Sequence, residues 1–157
     1  MLGVLNKRLN AAQMTPNFVA LLFAVYDSTL QQMIVANAGA PRPLLMRGGR
    51  LEEVKIEGTP LGMFPEIEYD TVTLALELED IVLFASDGIL ETMNVKNEAF
   101  GLDRLVSVLR NIAAGSSAET ISAAIIAATD EFSGSQTEAH DDRTLVILRI
   151  TGKSEKK

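Results

Sequence analysis

Two continuous apolar runs of strand length constrain this chain most. FVALLFAVYD, Phe18 to Asp27, and IVLFAS, Ile81 to Ser86, are bounded by turn formers, and neither carries a charge before Asp27. Such runs read as strands covered on both faces, because a half-exposed strand alternates apolar with polar residues. Shorter pieces fit around them as hairpins. Asp27, Ser28 and Thr29 turn the chain into Leu30 to Ala38. PRPLLMR gives a short strand, and Gly48-Gly49 returns the chain as Leu51 to Ile56. Thr71 to Leu78 alternates, with Val72, Leu74, Leu76 and Leu78 on one face. Glu79-Asp80 turns it into the second apolar run, and Asp87-Gly88 ends that run.

Helical periodicity appears in three places. Residues 1–12 put Leu2, Leu5 and Leu9 on one face, with Asn6, Lys7 and Asn10 elsewhere. This segment starts with no cap ahead of it and reads as the tail of something longer. Leu102 to Ala113 presents Leu102, Leu105, Val106, Leu109 and Ile112. The next helix opens with Ser116 and Glu119 in capping-box spacing and continues through Ile121, Ile125, Ala128 and Phe132. A polar loop, Ser133 to His140, leads through Asp141-Asp142 to a last strand, Thr144 to Ile150. Hairpin-linked strands, then a helix pair, then one strand predict an α+β fold with helices packed on antiparallel sheet. A doubly wound parallel fold would alternate strands and helices from the start.

Composition narrows the function classes. The chain has 157 residues, 47% of them hydrophobic, which is enough for one domain with a real core. A net charge of −7, with basic residues clustered only in the terminal Lys153–Lys157 segment, argues against a nucleic-acid binder. With no apolar stretch of membrane-spanning length, no signal-peptide plan and no Cys, the expected location is the cytoplasm.

Two acidic positions stand out by where they sit. Asp87 follows a buried strand directly, and Asp141 with Asp142 precedes another. Carboxylates at strand ends are rigidly held, which suits hard cations such as Mg or Mn. If the two strands are antiparallel neighbours, Asp87 and Asp141 converge, and Gly88 leaves room for a ligand or water. The competing reading is plain turn chemistry at Asp87-Gly88 and a loop cap at Asp141 or Asp142.

The ordered set of motifs adds weight to the metal reading. IVLFASDGILETMN, FGLDRLVSVLR and EAHDDRTLVILRI, with LNKRL, FVALLFAVYD, IVANAGAPRPLLMR and TPLGMFPEIEY upstream, resembles the SpoIIE-like branch of PPM-type protein serine/threonine phosphatases, whose members regulate sigma factors. The resemblance runs from about Leu2 to Ile150, a partial phosphatase domain over 2–150 with a flexible tail at 151–157. It implies an αββα sandwich, truncated here, around an acidic centre for two Mn or Mg ions. There a metal-activated water attacks phosphoserine or phosphothreonine on a regulatory protein without a phosphoenzyme. Carried over by position, Asp87 and Asp141 match metal ligands, Gly88 matches the glycine beside the first, and Asp142 stands as a neighbour supporting the ligands. The expected partner is a phosphorylated anti-anti-sigma-type protein.

Two departures qualify the resemblance. The family's early Asp and its Asp-x-x-Gly-His-Gly segment, which bring most of the remaining ligands, have no counterpart here. Where the family commonly has His after the Gly of NAGAPRP, this chain has Ala40. Two carboxylates cannot form a two-metal cluster unaided, so the expectation is a phosphatase domain that is inactive as this isolated chain. The alternatives are a catalytically dead module that binds a regulatory phosphoprotein, and a homo-oligomer or other assembly in which a second chain covers exposed strands. Smaller features have open readings. His140, the only histidine, is a loop residue or a substrate contact, and Glu91 is a solvated carboxylate or a neighbour of the metal site. Asn37-Ala38-Gly39 is strand-end turn chemistry or an oxyanion element. Met63-Phe64 is a partner contact, a flap, or loop packing under the sheet.

Overall fold

In the computed structural model, residues 1–12, 18–113, 115–134 and 142–152 are described. The elements run α1 (Leu2–Ala11), β1 (Leu21–Asp27), β2 (Gln32–Ala38), β3 (Leu44–Arg47), β4 (Arg50–Glu53), β5 (Thr71–Ala75), β6 (Ile81–Ala85), α2 (Asp87–Leu90), α3 (Gly101–Asn111), α4 (Ala118–Ser133) and β7 (Leu145–Arg149). They divide into two compact units, Met1–Arg42 with Val54–Glu77, and Pro43–Glu53 with Leu78–Lys157. Each has an antiparallel sheet with helical packing, as the α+β expectation requires.

The first unit holds a three-stranded sheet in the order β1-β2-β5. Leu2, Leu5 and Leu9 of α1 pack with Leu21, Phe23, Ala36, Ala38 and Leu61, the face that the helical spacing marks. Asn6, expected off that face, is buried, and its polar atoms explain why. Its amide donates to the carbonyls of Phe64 (2.9 Å) and Pro65 (3.3 Å), while its Oδ1 accepts from the Gly62 N–H at 2.8 Å. Asn10, one turn on, donates to the Phe64 carbonyl at 3.2 Å. The two asparagines therefore clamp the Gly58–Pro65 loop by its backbone, and Met63 and Phe64 are left exposed rather than packed under the sheet. Gly58 allows the loop to close: a Cβ there would lie 1.8 Å from the Asn37 carbonyl oxygen. Burial pushes the Tyr69 phenol above its ordinary pKa.

Two expectations in this unit are corrected. Phe18 to Asp27 reads as a strand covered on both faces, but β1 is a sheet edge and none of its residues is buried. The alternating run to Leu78 ends as a strand at Ala75. Leu76 still reaches the core, but Leu78 is exposed.

The second unit holds a four-stranded sheet, β4-β3-β6-β7. Gly48 and Gly49 take positive φ and close the β3–β4 hairpin. The second apolar run behaves as its sequence predicts: β6 is central, and Val82 and Leu83 are fully buried. Leu83 joins Leu44, Met46, Ile89, Phe100, Leu105, Leu109, Ile121 and Ile125 in one core. Leu102, assigned to the apolar face of its helix, is exposed at the helix start. The last long helix is capped one residue later than expected: Ser117, not Ser116, accepts the Thr120 N–H at 3.2 Å. Asp80, expected only as a turn residue, is 2% exposed and bound by Arg47 through Nε at 3.0 Å and a terminal nitrogen at 2.5 Å.

Candidate functional site

Of the acidic positions singled out from sequence, Asp87 follows β6 and Asp142 precedes β7, both in the second unit. β6 and β7 are antiparallel neighbours with Ala85 opposite Leu145, which puts the end of one strand beside the start of the other. Ser86 carries the pairing beyond the strands. Its N–H donates to the Thr144 carbonyl at 2.9 Å, its Oγ accepts from the Thr144 N–H at 2.9 Å, and that Oγ donates to the Asp142 carbonyl at 3.0 Å. One serine thus fixes the backbone on which Asp87 follows to the backbone on which Asp142 precedes.

Asp87 opens the short helix α2 and is exposed, with Oδ1 accepting the Gly88 N–H at 3.0 Å. The turn beneath it is firmly held. Gly88 and Ile89 are buried, the Thr92 hydroxyl donates to the Gly88 carbonyl at 2.7 Å, and the Phe100 N–H donates to the Thr92 carbonyl at 2.8 Å. On the other strand, Arg143 is anchored to α4: it donates to the Thr129 hydroxyl at 2.9 Å and pairs with Asp130 at 2.7 Å. Sequence reasoning assigned no role to Ser86, Thr92, Thr129 or Arg143. Their hydrogen bonds join positions up to 58 residues apart, which no local periodicity reveals. The only signal within reach is that Ser86 and Arg143 directly adjoin the acidic residues.

The structure brings together Asp87, Gly88 and the backbone of Asp142. Asp141 and His140 lie outside the described residues. Glu91 is exposed at the end of α2. Asn37 belongs to the first unit and does turn chemistry: its side chain donates to the Ala40 carbonyl and accepts the Ala40 N–H, both at 2.9 Å, and Gly39 takes φ +78°.

The fit to a divalent metal is partial. Asp87 is a hard oxygen donor on a rigid strand end, the right chemistry for Mg or Mn. Among the described residues, however, no group of three or more His, Cys, Asp and Glu could hold an ion. The described residues therefore do not by themselves make a metal centre.

These helices on antiparallel sheets match part of the fold of solved PP2C-type phosphatase domains. The structure matches the phosphatase domain of the cell fate determinant SpoIIE from Bacillus subtilis, in a Mn-presoaked crystal, with a TM-score of 0.67 at 18% identity, covering 88% of this chain and 59% of that one. It matches the SiaA PP2C domain of Pseudomonas aeruginosa with a TM-score of 0.75 at 19% identity, covering 92% of this chain and 56% of that one. It also matches a structure of the RsbU and RsbW domains of Rv1364c from Mycobacterium tuberculosis, with a TM-score of 0.66 at 21% identity and coverage of 92% and 40%. The chain belongs to the family of Stage II sporulation protein E (SpoIIE), whose profile matches residues 1–151. No curated protein matches it. The chain spans 59% or less of each of the three solved chains. Among the described residues, no helix is long and apolar enough to cross a membrane.

Proposed function

We propose that this chain contributes the Asp87 and Asp141 edge of a PP2C-type protein serine/threonine phosphatase centre, acting on phosphoserine or phosphothreonine of a regulatory protein in a sigma-factor-type pathway. The observation that supports this reading is the Ser86 clamp, which ties the end of β6, just before Asp87, to the backbone of Asp142 and Thr144 in a SpoIIE-family chain. Asp87 and Asp141 are the proposed ligands to Mn or Mg, with Gly88 and Asp142 supporting them. The chain is inactive alone, because two carboxylates leave most of an ion's coordination to be supplied from elsewhere.

The test joins this chain to the part of the SiaA PP2C domain that it does not cover. The chimera is expected to hydrolyse a phosphoserine peptide with Mn, and Asp87→Asn or Asp141→Asn to lower the rate at least ~100-fold, since metal stabilisation is worth several kcal/mol. Full activity in both variants would refute the assignment. A folded chimera that binds the phosphopeptide without turnover would instead support a binding module.

A further inference from the structure

Both sides of the candidate site lead back to one place, the C-terminal part of α4. On the β6 side the Thr92 hydroxyl donates to the Gly88 carbonyl, and the Thr92 carbonyl accepts the Phe100 N–H. Phe100, itself buried, meets Phe132 of α4 edge to face, with ring centroids 5.6 Å apart at 73°. Arg104 braces that contact. Its guanidinium lies 4.4 Å from the Phe132 ring centroid, and one terminal nitrogen donates to the carbonyls of Ala99 (2.8 Å) and Phe100 (3.1 Å). On the β7 side Arg143 reaches Thr129 and Asp130 of the same helix. The Thr129 hydroxyl is used twice: it donates to the Ile126 carbonyl at 2.8 Å and accepts from Arg143. Thr129 and Phe132, three residues apart, share one side of the helix.

The buried stripe of α4 changes character where these links begin. It reads Ile121, Ile125, Thr129, Ser133, apolar at first and then hydroxyl-bearing. Packing alone would favour another Ile at position 129, because a buried hydroxyl costs free energy unless it is partnered. Here its partner is the arginine that adjoins Asp142. The acidic segments need such a holder, since β6 ends at Ala85 and β7 begins at Leu145, so Asp87 and residues 142–143 lie beyond the strand ladder. We propose that Thr129 and Phe132 are positioning residues: through Arg143 and Phe100, α4 fixes where the Asp87 turn and residues 142–143 stand relative to one another. The consequence for the affinity of the site for a divalent ion rests on the metal reading above. The anchoring itself does not.

The test follows two signals in the full chain, with Ser117→Ala as a control that loosens α4 at its other end. Without metal, Thr129→Val is expected to speed amide hydrogen exchange at Thr144, and Phe132→Leu at Phe100, each about fivefold or more beyond Ser117→Ala. In Mn titrations read by broadening of the Gly88 amide signal, both variants are expected to need about tenfold more metal, as when a group that holds a ligand in place is lost. Thr129→Ser keeps the hydroxyl and is expected to return the midpoint to within about twofold of the natural chain. Ser117→Ala is expected to leave that midpoint unchanged. Exchange that rises no more than in Ser117→Ala would overturn the proposal, as would a midpoint that shifts equally in Ser117→Ala or in neither α4 variant. Exchange as expected, with no broadening at Gly88 in the unmodified chain, would refute the metal reading and support the anchoring alone. If Thr129→Val fails to fold, Arg143→Met cuts the same link from its partly exposed end and decides.

Discussion

Asp80 and Arg47 form a charged pair with very unequal burial, 2% against 39% side-chain exposure. Removing the carboxylate leaves a guanidinium short of its main partner at a sheet end where Asp80 also accepts the Ile150 N–H through its backbone. Asp80→Ala is expected to cost about 3 kcal/mol in urea unfolding, the lower end for a broken buried pair because Arg47 keeps contact with water. The Ser86 hydroxyl serves two backbone groups, so Ser86→Ala is expected to cost roughly 1–2 kcal/mol and to speed hydrogen exchange at the Thr144 amide selectively. An unaltered Thr144 rate would mean that the hydroxyl does not hold the strands. Tyr69 adds a pH dependence. Its folded pKa is raised, so the fold favours the neutral phenol. That contribution is intact below the ordinary tyrosine value of about 10 and is lost as pH rises through the folded value. A melting temperature that falls more steeply above about pH 10 in the natural chain than in Tyr69→Phe would show it. At this scale the sequence told where Asp87 stands but not what holds it. Strand-end position is a local property, whereas Arg47 with Asp80 and Ser86 with Thr144 are partners chosen by register over 33 and 58 residues.

Among the elements, β1 and β6 both come from uncharged apolar runs, apart from Asp27 at the end of β1, and end in opposite circumstances, one at an edge and one in the centre of its sheet. Periodicity identifies a strand and the cover it would accept, but strand order is set by neighbours distant in the chain, so the edge position of β1 was not legible. The β3–β4 hairpin was, because Gly48-Gly49 takes the positive φ that such a turn requires. Capping spacing placed the start of α4 within a residue. It missed the cap itself because Ser116 and Ser117 are adjacent and the Ser116 hydroxyl instead donates to the Ala113 carbonyl at 2.8 Å. Ser117→Ala is expected to lower stability by about 1 kcal/mol and Ser116→Ala by clearly less. Equal losses in chemical denaturation would contradict the cap assignment. Gly58→Ala should be far more severe, because the new methyl collides with backbone at Asn37 rather than with a movable side chain.

For the molecule as a whole, the order of motifs from α1 to β7 made the family legible before any geometry, and the fold agrees with it. The site was legible only in outline. The acidic strand ends could be paired by antiparallel logic, but Asp141 lies outside the described residues, and most of an ion's coordination has no candidate among the described ones. The central claim is that the edge formed by Asp87 and Asp141 is where a divalent ion sits. It is tested most directly by adding Mn to the isotope-labelled chain and following paramagnetic broadening of its amide signals, which reports even weak binding and needs no turnover. The account predicts early loss of the Gly88, Ile89 and Asp142–Thr144 signals, abolished by Asp87→Asn and by Asp141→Asn. Broadening centred elsewhere, or unchanged in both variants, would contradict it.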